Sequence, residues 1–205
     1  MKKITILLCL LFLSSSGLFA RNIGLNIDIG AQYNNHQLHE FQTGINGFNV
    51  HHILSKHMGG FHLDISYVLG KNWSIFLDTA FSFNKTFVND SLLGFGYTFP
   101  VKRYFDIFFG LGFGFGGSIF SWKAALTSVS DTAAYIGAGF ELKGLLMFSD
   151  HVGFYFGVQD NMYAAVSGKH KTVTGNVKTE VSRSKSDLPD MVNSLLLKAG
   201  LRIAL

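Results

Sequence analysis

Asp28, Asp64, Asp78, Asp106, Glu141, Lys143, Lys198 and Arg202 each interrupt a largely apolar run, and His62 stands two residues before Asp64. A charge set among apolar neighbours is costly to bury unless an opposite charge meets it. These residues therefore imply an ionic network inside the fold. Two uses suit it: a structural plug that fills an interior, or the lining of a gated polar path.

Histidine is the other chemically capable residue. His36, His39, His51, His52, His57 and His62 fall in one stretch, and imidazole is a common metal ligand. His36 and His39, beside Glu40, are weak metal candidates, but their spacing matches no familiar zinc signature, and histidines solvated in a loop explain the stretch as well. Cys9 is the one cysteine, inside the N-terminal apolar run. No disulfide or thiolate centre is expected beyond that run. No ordered Ser–His–acid set is visible, so an enzyme is not expected. "GFGFG" lacks the strand-then-helix setting of a phosphate loop. No cofactor is implied.

The elements that carry these residues share one pattern. In "DIFFGLGFGFGG" Ile107, Phe109, Leu111, Phe113 and Phe115 alternate with Gly110, Gly112, Gly114 and Gly116 around them. Period two means a strand with one bulky apolar face and one nearly bare face. The same alternation recurs at 22–33, 61–69, 73–83, 93–99, 136–148, 152–158 and 195–205. Eight strands are predicted. Short turns at about 70–72, 100–103 and 149–151 alternate with longer loops at about 34–57, 84–90, 117–133 and 164–190.

Short turns on one side and long loops on the other are the connectivity of a transmembrane β-barrel. The chain has 48% hydrophobic and only 15% charged residues, with 23 glycines and 21 phenylalanines. Its bare strand faces carry Gly, Ser, Asn and isolated charges, whereas a water-facing sheet is normally rich in Lys, Glu, Thr and Arg. The aromatic faces suit hydrocarbon, which offers no partner to a polar group. Residues 1–20 read as a cleaved signal peptide, with Lys2 and Lys3 before the apolar "ITILLCLLFL" and a small-residue cleavage region ending at Ala20 or Gly17. Residues 21–205 then form the barrel domain. Without Lys2 and Lys3 the formal charge falls from +4 to +2, and nucleic acid is not indicated as a partner.

With aromatic faces outward, Gly94, Gly96, Gly110, Gly112, Gly114, Gly116, Gly137, Gly139, Gly153 and Gly157 line the lumen. They permit tight curvature and leave room for bulk from the opposite wall. The sharper alternative is a narrow passage or ligand cavity. The last long loop carries Lys169, Lys171, Lys178, Arg183 and Lys185 against Glu180. A basic segment above a membrane suits lipopolysaccharide, glycans or host matrix; a plain solvated loop fits the composition equally.

Taken together, the chain resembles the small bacterial outer-membrane β-barrel superfamily of the OmpX, OmpW and OmpA-transmembrane type. The resemblance implies an all-β, eight-stranded antiparallel up-and-down barrel in the outer membrane, with lipid and the barrel assembly machinery as partners. It also implies a C-terminal assembly signal at Lys198, Gly200, Ile203 and Leu205, although leucine ends this chain where the family usually has phenylalanine. Two functions follow from it. One is a narrow channel or binding barrel for small, including hydrophobic, molecules. The alternative is a non-enzymatic surface protein whose loops bind host or envelope ligands.

Overall fold

A computed structural model describes residues 24–37, 41–45, 48–52, 57–124, 127–182 and 191–205. The signal peptide expected at 1–20 and His39 lie outside the described residues. Eleven strands are present: β1 (Gly24–His36), β2 (Phe41–Ile45), β3 (Phe48–His52), β4 (His57–Gly70), β5 (Trp73–Phe83), β6 (Thr86–Lys102), β7 (Phe105–Ala124), β8 (Thr127–Met147), β9 (Val152–Thr174), β10 (Val177–Ser182) and β11 (Val192–Ala204). Eight of them, in the order β1, β4, β5, β6, β7, β8, β9 and β11, pair antiparallel into a closed ring. β2 and β3 form a separate hairpin, and β10 adds to the upper part of β9.

The register gives the barrel its shape. From Ile27 the partners run through Ile65, Leu77, Leu93, Phe113, Ala138 and Met162 to Asn193. Ile27 itself pairs with Ile203, ten residues further along β11. A shear of that size on eight strands tilts them by ~40° to the axis and leaves an interior just wide enough for side chains.

Parity then decides what touches what. Phe95, Leu111, Phe113, Leu201 and their neighbours on the same face are exposed, and the alternate residues are buried. On β4 the exposed face runs from Phe61 to Leu69, roughly 20–25 Å along the axis at ~3.3 Å per tilted residue. Two polar pairs interrupt this belt and satisfy themselves: Ser91 with Thr79 at 3.3 Å and Asn193 with Asp160 at 2.7 Å. At the lower rim Trp73 meets Tyr97 edge-on with ring centroids 5.1 Å apart, an aromatic girdle.

The connections differ from the sequence expectation on the upper side. The loop expected at 84–90 is a tight reversal at Asn84–Lys85, and β6 already begins at Thr86. Asn89 and Asp90 read as turn residues, but Asn89 donates to the Ala80 carbonyl and Asp90 takes part in the ladder opposite Ala80. The loop expected at 117–133 is mostly strand, because β7 continues to Ala124 and β8 starts at Thr127. Its Ser and Thr residues pair across the ladder, as Ser121 and Ser130 do, so backbone pairing carries the strands beyond the apolar pattern. The segment 164–190 likewise continues β9 to Thr174 and returns as β10, turning at Gly175 with φ +58. Within 34–57 β1 reaches His36 and the β2–β3 hairpin intervenes. On the lower side the reversal expected at 100–103 falls at Arg103–Tyr104, one residue beyond the end of β6. The turn after β4 places Lys71 and Asn72 at φ 48 and 69, the paired left-handed residues of a tight hairpin turn.

Candidate functional site

The lumen is filled in layers. Asp28, Asp64 and Asp78 are directly opposite one another across β1, β4 and β5. Three adjacent carboxylates repel unless cations lie between them. Arg202 supplies one, donating from Nε and a terminal nitrogen to the two oxygens of Asp28 at 2.7 Å each. Lys143 reaches across from β8 to Asp28 at 3.1 Å, to Glu141 at 3.3 Å and to Asp64. Lys198 pairs with Asp78 at 2.8 Å and Glu141 at 3.1 Å, and donates to Gln159. Seven of the charged residues singled out in the sequence thus converge.

Two others border that knot. His62 is buried and shares a 2.5 Å hydrogen bond with the Tyr155 hydroxyl. Asp106 is buried on the wall of a cavity of about 650 Å³ at the lower mouth, the side of the short turns, with Arg202 and Thr98 among its lining. Asp64, Asp78 and Glu141 offer oxygens within 4.8 Å of one another, a set that could hold a metal ion. Lys143 and Lys198 already place their ammonium groups against these oxygens, so the trio has its counter-charge from the chain.

Interleaved with the ions is an aromatic plug. Phe76, Phe108, Leu92, Leu145 and Tyr155 form one buried cluster. The Phe76 and Phe108 rings meet edge-on at 5.5 Å, and the Lys143 ammonium lies 4.7 Å from the Phe108 ring centroid. The glycines explain how such bulk fits. A Cβ on Gly96 would run into the Phe108 ring, one on Gly110 would stand 2.6 Å from Phe76, and one on Gly114 2.9 Å from Tyr163. Gly139 faces the Asn161 side chain and Gly157 that of Lys143. At Gly94, Gly112, Gly116, Gly137 and Gly153 the nearest neighbour is backbone of the adjoining strand. Gly200 is a seat as well, with the Tyr155 hydroxyl 2.7 Å from where its Cβ would be. Of the other residues read as an assembly signal, Lys198 points into the ionic layer, and Ile203 and Leu205 are exposed.

Higher in the lumen is a second polar layer that sequence reasoning missed, built around the buried Asp90 carboxylate. Asn34 donates to Asp90 at 2.8 Å and to Ser82 at 3.0 Å; Ser194 donates to Asp90 at 3.0 Å; Gln32 donates to Ser82 at 2.9 Å. His36, the weak metal candidate, is fully buried here. Above it Met58, Val88 and Phe120 form one apolar cluster, and Ala133, Tyr135, Tyr163, Ala165 and Val192 another. Parity continued past Phe83 would have placed Asp90 inside; assigning it to a loop hid it.

Above the exposed apolar belt β7, β8, β9 and β10 continue as one sheet. A bulge opposite Ala134 and Tyr135 adds a residue, Val166, to β9. That extra residue inverts the parity above it. It turns His170 inward, where it meets Asp131 at 2.8 Å and Thr172 at 3.0 Å, and sends Lys169 and Lys171 outward. By register the outer face carries Lys123 on β7, Ser128, Ser130 and Thr132 on β8, Lys169 and Lys171 on β9, and Lys178 and Glu180 on β10. Glu180 lies 3.9 Å from Lys169 and 3.7 Å from Lys178, all three well exposed.

Comparison with known proteins agrees with this geometry. The family described as a domain of unknown function, DUF2715, matches residues 16–203. The chain belongs to this family. Among curated proteins no relative matches it. Among solved structures it is similar to the outer membrane protein OprG of Pseudomonas aeruginosa, at 13% identity and a TM-score of 0.57, covering 90% of this chain and 97% of that one. It is similar to a major outer membrane protein of Thermus thermophilus, at 11% identity and 0.56, covering 88% and 99%. It is also similar to Neisserial surface protein A, at 11% identity and 0.53, covering 91% and 99%. The fold of this DUF2715 chain is that of the small outer-membrane β-barrels, and its exposed apolar belt is the surface such a fold presents to lipid.

Proposed function

We propose that the chain is a non-conducting barrel of the bacterial outer membrane that acts from the cell surface, through its extracellular sheet, on anionic saccharides or lipid headgroups. The observation that carries this reading is the filled lumen. An ionic knot interleaved with an aromatic plug, and above them a polar layer and an apolar cap, occupy the axis, each closed by buried side chains. An ion crossing such a barrel would have to shed its water and displace charges that already satisfy one another. The cavity at the lower, periplasmic mouth has Arg202 of the ionic knot in its wall and none of the knot's acids or the plug's rings, which favours the surface role over the channel. Assembly through the C-terminal strand, with Ile203 and Leu205 presented to the insertion machinery, belongs to the same proposal.

The outer face of the sheet supplies the recognition chemistry. Four lysines and a row of hydroxyls face outward with Glu180 as the acid among them. Lysine is a point-charge donor to phosphate and sulfate, and hydroxyls add neutral hydrogen bonds to sugar. Attraction of this exposed kind is screened by salt.

The test has two arms on the refolded full chain. In planar bilayers it should add no steady conductance to the lipid baseline. It should bind heparin, used as a sulfated polysaccharide probe, at low salt and release it as salt rises. Lys169→Gln, Lys171→Gln and Lys178→Gln together should weaken that binding by about tenfold or more. Discrete conductance steps would overturn the sealed barrel, and unchanged heparin affinity in the triple variant would overturn the basic face.

A further inference from the structure

The upper polar layer contains a carboxylate that, among the described residues, pairs with no lysine or arginine. Asp90 is fully buried, and among the described residues its ion-pair neighbour is His36, with Nδ1 3.9 Å from Oδ2. That separation is too long for a hydrogen bond. His36 is itself fully buried, and neither of its ring nitrogens has a hydrogen-bond partner. Oδ1 of Asp90 is buried and lacks a well-formed hydrogen bond. The Tyr163 hydroxyl, on β9, is in hydrogen-bonding reach of the Asp90 carboxylate and of Asn161. Buried polar atoms are nearly always satisfied, so a group of them aimed at one another marks an arrangement with a component still to be added.

We propose that this layer is a binding site for a divalent d-block cation of the zinc class, with a ring nitrogen of His36 and a carboxylate oxygen of Asp90 as protein ligands and the Tyr163 hydroxyl as a further oxygen donor. Zinc holds nitrogen and oxygen donors at ~2.0–2.1 Å, which places two of them roughly 3.3 Å apart around a tetrahedral ion. The observed 3.9 Å accepts the ion after an inward movement of about half an ångström. The cation also supplies the positive charge that Asp90 lacks. Imidazole as a ligand selects zinc, nickel or copper over magnesium and calcium. Asn34 and Ser194, already donating to Oδ2 of Asp90, orient the carboxylate as outer partners of a metal ligand do.

This inference stands apart from the surface role, since a sealed barrel can hold a cation whatever its sheet binds. The experiment is zinc titration of the refolded, metal-stripped full chain, read by calorimetry and by the unfolding midpoint, with magnesium as the hard-cation control. The wild-type chain should bind one zinc per barrel and unfold at a higher midpoint as free zinc rises. His36→Gln and Asp90→Asn should each weaken binding by at least about tenfold; His170→Gln, outside the layer, should leave it unchanged. Retention of the heat-dependent gel shift shows that each variant is still a barrel. Should either variant fail to fold, cobalt(II) in place of zinc on the wild-type chain gives the answer directly, through the visible d–d bands of a nitrogen- and oxygen-ligated ion and the paramagnetic shift of the His36 ring signals. Absence of binding, an equal response to magnesium, binding that survives both substitutions, or a cobalt complex that leaves the His36 signals unshifted would overturn the proposal.

Discussion

Lys143→Met should lower the unfolding free energy of the barrel by about 3–5 kcal/mol, read from urea midpoints in lipid vesicles. Lys143 is buried and faces Asp28, Asp64 and Glu141 together. Methionine matches its volume but leaves those carboxylates with only Arg202 and Lys198 to answer them. Asp64→Asn should behave in the opposite way and cost less than about 1 kcal/mol. Around Lys143, Lys198 and Arg202 stand four carboxylates, Asp28, Asp64, Asp78 and Glu141. Removing one negative charge therefore balances the knot, and asparagine keeps an oxygen for Lys143. Asp28→Asn should fall between the two, because Asp28 also accepts both Arg202 hydrogen bonds. Equal losses in all three variants would show that charge balance does not govern this layer.

The order of the layers gives the barrel its division of labour. Hydrocarbon demands an apolar exterior, so apart from the two self-paired sets on the belt the polar residues of the staves point inward, where water is excluded as well. Each must find its partner on another stave. Asp28 on β1 is joined to Arg202 on β11 and to Lys143 on β8, which ties the first strand to the last and to the far wall. Such cross-lumen ties favour one register, because a slip of one residue would carry the charges into lipid. Rigid staves in turn support the upper sheet, where the bulge at Val166 sets which side chains face outward.

The barrel was legible in the sequence because period two is a local signal and lipid makes it unusually uniform. Phe109, Leu111 and Phe113 declare their face without help from the rest of the chain. The charged residues were legible for the same reason, by parity alone. What parity does not give is partnership: His62 goes to Tyr155 and Asp106 to the cavity at the lower mouth, whereas Lys143 gathers three carboxylates. The upper strands were missed because their residues are Ser, Thr, Asn and Asp, held by ladders rather than by an apolar pattern. Asp90 and Asp131 were hidden with them. A single extra residue at Val166 then reversed the faces of Lys169, Lys171 and His170, and no local pattern marks a bulge of that kind.

The glycines offer the second large effect, because they act as receptors for bulk and not merely as gaps. Phe76→Ala should cost about 3–5 kcal/mol, the usual loss for emptying a buried phenyl ring. Gly110→Leu should cost about 1–3 kcal/mol by overpacking, since even a Cβ at that position falls 2.6 Å from the Phe76 ring. If the two residues share one space, the double variant Phe76→Ala/Gly110→Leu should be more stable than the sum of the single losses predicts, by about 1–3 kcal/mol. The leucine then occupies the volume the ring has left, and the wall of β7 need not move. Gly59, where a Cβ would meet nothing within 4 Å, supplies the control: Gly59→Leu should show no coupling to Phe76→Ala. Additive losses at Gly110 would mean that its glycine serves the curvature of the strand and that the plug is seated elsewhere. Coupling of the expected sign would establish that the bare face of "GLGFGFG" is shaped by the rings opposite it, and that the lumen is a packed core turned inside a membrane wall.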